Sequence, residues 1–363
     1  MKSRNWVEIS RGALRRNLAY VRQLLPPATA ICAVVKADAY GHGAVACAEV
    51  FAAAGVEWLA VTSVEEGVKL RHAGLQPRIL VLGGFEAEDA ADLLQHHLTP
   101  AVWDAAQVRW LGAAMNGHRA GIHLKLETGM GRLGVTAAQE AEVAAALHAA
   151  PGVQVEAVFS HLASADSPDG HPSEQQHERL LAEAAAHHFT ATSPAWHLLN
   201  SEAALRFPQW GGAMARVGLA LYGYSAQPEH AQRLQPALTW KTRVVGVKEL
   251  PAGHGIGYGA RFHTPHTMRV ATLAAGYADG YRREFFPGAQ VALGGAPAPV
   301  VGAVSMDLTT VDASAAPQLA LGDTATLLGA GAPDAAGLAQ LAHTIPYEIL
   351  CGISARVERI YVD

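Results

Sequence analysis

The sequence is poor in cysteine, in long apolar runs and in excess charge of either sign. Cysteine occurs three times in 363 residues, at Cys32, Cys47 and Cys351. The number is odd, the positions are far apart and no Cys-x-x-Cys pair exists. This argues against a disulfide framework and for a reducing, cytoplasmic setting. No apolar run reaches the ~18 residues that a membrane span needs. The N-terminal stretch Met1-Lys2-Ser3-Arg4-Asn5-Trp6 lacks a signal-peptide core. Lys and Arg number 27 against 32 Asp and Glu, a formal net charge of -5. Nothing in that balance suggests a basic nucleic-acid surface or a membrane-binding face. Internal repeats and low-complexity tails are also missing. The 18 histidines invite a metal reading, but there is no His-Glu-x-x-His and no tight ligand cluster. His96-His97 and His187-His188 are expected at solvated helix positions.

What is present is apolar content, 50% of the residues, arranged in a regular alternation. Trp6–Ile9 alternates as a short strand. Ser10 is placed to cap a helix with an apolar stripe of Leu14, Leu18, Val21 and Leu25. Then come strand candidates at Ile31–Val35, Trp58–Val61, Ile79–Leu82, Leu98–Val102, Gly121–Leu126, Val153–Phe159, Ala195–Leu199 and Met214–Val217. Ala-rich segments of helical period separate most of them, with capping boxes at Ser63/Glu66 and Thr136/Gln139. Eight strands alternating with helices predict a (β/α)8 TIM-type barrel over residues 1–232, with a doubly wound sheet as the competing topology. Beyond Gln232 short Val-, Thr- and Leu-rich runs lie between glycine turns: Val244–Leu250, Met268–Ala275, Gln290–Leu293, Pro299–Val304, Thr309–Asp312, Thr324–Leu328 and Arg356–Val362. They predict a mostly β domain over residues 233–363.

In a barrel the reactive groups gather at the carboxyl ends of the strands. Lys36 leaves the first strand, followed by Tyr40. Lys125 and, beyond it, Arg132 follow the fifth. Ser160-His161 ends the sixth, Asn200-Ser201 the seventh, and Arg216-Val217-Gly218-Leu219 the eighth. A lysine emerging from a buried strand is suited to Schiff-base chemistry, because desolvation lowers its pKa; the alternative is a lysine whose amine reaches solvent. Ser201, Gly218 and Leu219 could hold a phosphate at the loops after strands seven and eight; Ser201 could equally be a plain helix cap. A phosphate-bearing cofactor beside such a lysine points to pyridoxal 5′-phosphate. Arg216 could then face the pyridine nitrogen. An arginine cannot give up its proton, so that nitrogen would stay unprotonated, which suits a short-lived carbanion and proton exchange. His161 is either part of this site or a core histidine. Two glycine motifs, Gly41-His42-Gly43-Ala44-Val45-Ala46 and Gly129-Met130-Gly131-Arg132-Leu133-Gly134, offer a dinucleotide site as the rival reading.

These motifs, in order along nearly the whole chain, resemble those of the alanine racemases. The resemblance rests on Ala33–Gly43, His123–Gly134, Ser160–Asp166, Asn200-Ser201, Arg216–Gly223, Gly257-Tyr258-Gly259, Gly276–Tyr281, Ser305-Met306-Asp307 and Pro346-Tyr347-Glu348. It implies pyridoxal-phosphate-dependent interconversion of L- and D-alanine in a homodimer with shared active sites, serving cell-wall synthesis or alanine degradation. Lys36 would bind the cofactor and act as one base, and the partner subunit's Tyr258 would be the other. Arg216 would face the pyridine nitrogen, with His161 beside it. Arg132 would hold the phenolic oxygen and the substrate carboxylate, steadied in some relatives by a carbamylated lysine matching Lys125. Tyr40, Ser201, Gly218, Leu219 and Tyr347 would hold the phosphate, and the backbone of the partner's Met306 would meet the substrate carboxylate. From its residues alone Tyr258 is a loop aromatic between glycines, with packing or turn formation as the plainer role. A decarboxylase of basic amino acids, a non-catalytic pyridoxal-phosphate carrier and a broad-specificity racemase are the competing functions. The decarboxylase would place an acid where this chain has Arg216, and the carrier would lack the second domain.

Overall fold

The computed structural model describes residues 3–115, 117, 119–186, 189 and 195–363; His187 and His188 lie outside them. Two compact units divide the chain: Leu14–Ala39 with Ala44–Gln235, and Met1–Ala13 with Tyr40–Gly43 and Pro236–Asp363.

The first nine strands are β1 (Asn5–Ser10), β2 (Ala30–Val34), β3 (Trp58–Val61), β4 (Arg78–Val81), β5 (Leu98–Val102), β6 (Ala120–Lys125), β7 (Val153–Phe159), β8 (Ala195–His197) and β9 (Met214–Val217). β2 to β9 form one parallel sheet in the order β8-β7-β6-β5-β4-β3-β2-β9. β2 pairs with β3 on one side and with β9 on the other, Cys32 facing both Trp58 and Arg216. A doubly wound sheet, with its last strand elsewhere, is thereby excluded. The remaining seam, between β8 and β9, is bridged by Ala213 N to Trp196 O and Arg216 N to Leu199 O, both 2.9 Å. The eight-stranded barrel is nearly closed. Its strands are the apolar runs of the sequence because both faces of each are covered: every residue of β5 and β9 is buried.

The helices follow their caps. Ser10 Oγ accepts from Ala13 N at 3.0 Å, opening the helix Arg11–Leu24, and Leu14, Leu18, Val21 and Leu25 are all buried. Ser63 and Glu66 form the expected reciprocal box. Gln139 accepts from the backbone and hydroxyl of Thr136, but the helix starts only at Glu140.

The second unit is built on one long strand, β10 (Leu238–Leu250). β10 pairs antiparallel with Met268–Leu273, with Thr324–Leu328 and with β1. β1 also pairs in parallel with Glu358–Val362. The first strand, which the sequence grouped with the barrel in residues 1–232, therefore belongs to the β unit, as does Tyr40–Gly43. Both edges of β1 are hydrogen-bonded by strands more than two hundred positions away, a pairing no local pattern carries. Other differences are smaller. A strand expected at Pro299–Val304 is found at Ala296–Pro299, in a hairpin with Gln290–Leu293. Helices Ala335–Leu341 and Pro346–Cys351 interrupt the β texture. No helix among the described residues is long and apolar enough to cross a membrane.

Candidate active site

β2 delivers Lys36. Val35 N still bonds across to Ala60 O at 2.8 Å, so Lys36 is the first residue beyond the ladder, half-buried. The chain then makes a turn that L-residues avoid: Ala37, Asp38, Ala39 and Tyr40 all have φ between 51° and 55°. Each non-glycine residue in this left-handed region costs about 1–2 kcal/mol. Neighbours hold the turn. Ala37 N donates to Glu66 Oε1 at 2.7 Å and Ala44 N to Asp38 Oδ1 at 2.9 Å. Gly41 and Gly43 serve close packing, not a pyrophosphate. A Cβ on Gly41 would collide with Leu350 O, and one on Gly43 with the Tyr361 hydroxyl.

Arg216 sits in β9, buried. Nη1 donates to His197 Nδ1 at 2.6 Å. Nη2 donates to Ser160 O, Leu198 O and His161 Nδ1 at 2.8, 3.1 and 3.3 Å. Nε has no partner among the described residues. Burial lowers the guanidinium pKa to about 10, which leaves it cationic at neutral pH. His161 and His197 are held neutral, first by burial and then by the Arg216 charge. His197 Nε2 lies 2.9 Å from His123 Nδ1, and burial lowers the His123 pKa to about 3. The sequence places His161 beside Arg216 and the structure brings them together. His123 stood in a quoted motif without a role, and His197 was not singled out; the one available signal was a histidine inside a buried strand.

Lys125, at the end of β6, is buried, and its pKa falls to about 8 through burial and then the charges of Arg132 and Arg216. Arg132 follows on a loop gripped by Glu127. The carboxylate accepts from Gly129 N (2.5 Å), Met130 N (2.7 Å) and Gly131 N (2.9 Å). The amides that a dinucleotide would need are occupied by this side chain, so the second glycine motif is a loop clamp. Arg132 itself is exposed in the single chain.

At the β8 end the helix cap is Asn200, whose side chain accepts from Ala203 N at 3.0 Å. Ser201 is thus released from capping. Its Oγ accepts from Gly218 N (2.9 Å) and Ala220 N (3.3 Å) and keeps its own proton to donate. The Leu219 amide has no partner among the described residues.

In the other unit Tyr40, buried, lies against Tyr347, with ring centroids 5.7 Å apart and planes at 57°. Tyr258 stands on a short turn between Gly257 and Gly259, both at φ 72°, and is 71% exposed. Met306 is 55% exposed.

Lys36, Lys125, Arg132 and Arg216 all act electrostatically on Lys125 or His161 in the barrel, and Glu127 opposes them at Lys125. Such a pole attracts anions. Together with a hydroxyl and an amide able to donate, it fits an aldehyde cofactor bearing phosphate. A barrel with a lysine at the end of its first strand, a buried arginine in its last and a β domain after it is the architecture of a barrel-type enzyme acting at a cationic site. Comparison with known proteins narrows the class. The family profile "Alanine racemase, N-terminal domain" matches residues 9–226 and "Alanine racemase, C-terminal domain" residues 237–361. The alanine racemase of Symbiobacterium thermophilum is 42% identical over 98% of this chain and 96% of its own length, and that of a Nostoc strain 40% over 99% and 96%. Among solved structures, alanine racemase from the D-cycloserine-producing Streptomyces lavendulae superposes with a TM-score of 0.93 at 36% identity, covering 100% of this chain and 98% of that one. The Bacillus anthracis enzyme, solved with bound L-Ala-P, gives a TM-score of 0.93 at 31% identity, covering 100% and 96%. The chain belongs to the alanine racemase family and is an isomerase of the racemase type.

Proposed function

We propose that this enzyme interconverts L- and D-alanine with pyridoxal 5′-phosphate, using Lys36 and the partner subunit's Tyr258 as its two bases in a homodimer. The observation that carries the reading is the buried Arg216: a permanent cation with one free donor nitrogen, held by neutral histidines at the bottom of a cationic pole. Lys36 would hold the cofactor through its aldehyde group. Arg216 would face the ring nitrogen, with His161 beside it. Ser201 Oγ–H and the Leu219 N–H would donate to the phosphate, with Gly218 aligning Ser201, and Tyr40 and Tyr347 would help hold it. Arg132 would hold the phenolic oxygen and the substrate carboxylate, which the amide of the partner's Met306 would also meet. A carbamate on Lys125 would put a negative charge within the field of Arg132 and Arg216 and steady Arg132. When bound, the cofactor supplies an electron sink that makes the substrate Cα proton labile. Lys36 Nζ moves that proton on one face of Cα, and the oxygen of the partner's Tyr258 moves it on the other. Arg216 keeps the sink shallow, because its proton cannot be given to the ring nitrogen. Cysteines without a disulfide, two of them buried, suit a cytoplasmic enzyme.

Proton NMR of the holoenzyme with L-alanine in D2O, with D-alanine assayed in the same tube, tests this. Loss of the α-proton signal together with D-alanine formation is expected. Tyr258→Phe should abolish racemisation, and wild-type activity in that variant would remove the second base. Lys36→Ala should no longer bind the aldehyde covalently, as read by absorbance after borohydride treatment.

A further inference from the structure

Residues 305–308 form a loop that carries the exposed Met306, and the loop is held from several sides within its own unit. Tyr277 N donates to Ser305 O (3.0 Å) and Ala278 N to Met306 O (2.9 Å). Gly276 permits this approach, since a Cβ there would collide with both carbonyl oxygens. Thr309 Oγ1 donates to Ala275 O at 2.8 Å. Across the loop lies Arg356. Its Nε donates to Asp279 Oδ1 and its Nη2 to Asp307 Oδ1, both at 2.6 Å. Asp279 is buried, and its other oxygen accepts from Gly276 N at 2.9 Å. One guanidinium therefore joins the turn at 276–280 to the loop at 305–308. Meanwhile the Met306 N–H has no partner among the described residues.

A backbone amide on an exposed loop binds a carboxylate well only if it is pointed in advance, because ordering the loop on binding would cost affinity. We infer that Arg356 is a positioning residue: bridging Asp279 and Asp307, it fixes the direction of the Met306 N–H toward the substrate carboxylate in the partner's active site. Its Nε and Nη2 are each taken by a carboxylate of its own unit. The inference rests on the reading of Met306 given above, and the test separates the two.

The holoenzyme, Arg356→Gln and Asp307→Ala would be compared by hydrogen exchange of the peptide spanning residues 303–309, and by calorimetric binding of propionate, an alanine analogue without the amine. Asp307→Ala removes the acceptor of Arg356 Nη2, leaves the Arg356–Asp279 pair intact and decides the matter if Arg356→Gln fails to fold. Cofactor absorbance should be unchanged in both variants. Exchange in the loop should rise and propionate should bind about tenfold more weakly, within the ~100-fold that a misplacement of about 1 Å can cost. The KM for alanine should rise by a similar factor with a smaller loss in kcat. Arg356→Lys should recover part of both effects. Unchanged exchange in both variants would overturn the role of Arg356. Faster exchange with unchanged propionate affinity would instead overturn the role of Met306, and with it this inference.

Discussion

Arg216 and His197 are joined inside the barrel, Nη1 to Nδ1 at 2.6 Å, and this one contact fixes the protons of two rings. A guanidinium can only donate. His197 Nδ1 is therefore an acceptor, and the proton of the neutral ring sits on Nε2. That nitrogen faces His123 Nδ1 at 2.9 Å, so His123 also carries its proton on Nε2. The result is a one-way chain of donors leading away from Arg216.

Both rings should accordingly show the neutral Nε2–H pattern in 15N NMR, unchanged from pH 5 to 9. His197→Leu would leave a buried guanidinium N–H unpaired and should cost about 2–3 kcal/mol in urea unfolding. A protonated or Nδ1–H His197 in the folded protein would contradict the chain.

Stability should also fall in acid through His123, His161 and His197. Their folded pKa values lie below the ordinary 6.5. Below pH 6.5 the unfolded chain takes up protons that the folded rings refuse, so each ring removes about 1.4 kcal/mol per pH unit, for His123 down to pH 3. Replacing His123 by Gln should reduce the slope of unfolding free energy against pH between 6.5 and 4; an unaltered slope would mean that the ring is protonated when folded.

Lys125 acts in the alkaline range. Its folded pKa of about 8 lies below the ordinary 10.5. Between these values the unfolded chain holds the extra proton, so stability rises with pH from 8 to 10.5 and the full burial penalty applies below 8. Lys125→Met in CO2-free buffer should gain on the order of 3 kcal/mol at pH 7 and lose that alkaline rise. The same neutral amine predicts a carbamate: with 13C-bicarbonate, a carbamate carbon resonance should appear in the wild type near pH 8 and be missing from Lys125→Met.

The left-handed turn after Lys36 makes an unusual prediction for glycine. Ala37 is exposed at φ 51°. Ala37→Gly relieves the steric cost of that conformation while adding backbone entropy to the unfolded chain. The outcome should lie between neutral and about 1 kcal/mol more stable by thermal unfolding. In a right-handed helix the same change loses about 1 kcal/mol.

Glu127 should matter through Arg132. Glu127→Ala frees three amides of the 129–131 loop and should lower kcat/KM for alanine at least tenfold; Glu127→Gln, which keeps an acceptor oxygen, should lose less. Equal losses in the two variants would show that charge, not loop geometry, is what Glu127 supplies.

Much of the barrel was legible because parallel strands buried on both faces are written as continuous apolar runs, and β5, β7 and β9 begin and end where those runs do. The groups at their carboxyl ends, Lys36, Lys125, His161, Ser201 and Arg216, follow from strand order alone, since a chain that leaves a strand must present its next residues at that end. Ser201 shows the limit. A hydroxyl at a helix start reads equally as a cap or a ligand, and only the folded chain, with Asn200 as the cap, leaves it able to donate. The glycine motifs failed similarly: their spacing suits phosphate binding, but their surroundings are Glu127, Leu350 and Tyr361.

The sequence by itself determined the local elements, the two textures and the inventory of reactive side chains, because these depend on residues within a few positions of each other. Tertiary structure alone decided the pairing of β1 with β10 and Glu358–Val362, the Arg216–His197–His123 chain and the Asp279–Arg356–Asp307 bridge. Each joins groups that lie from 19 to hundreds of positions apart, and hydrogen bonds of that kind are selected by the packing of the whole fold.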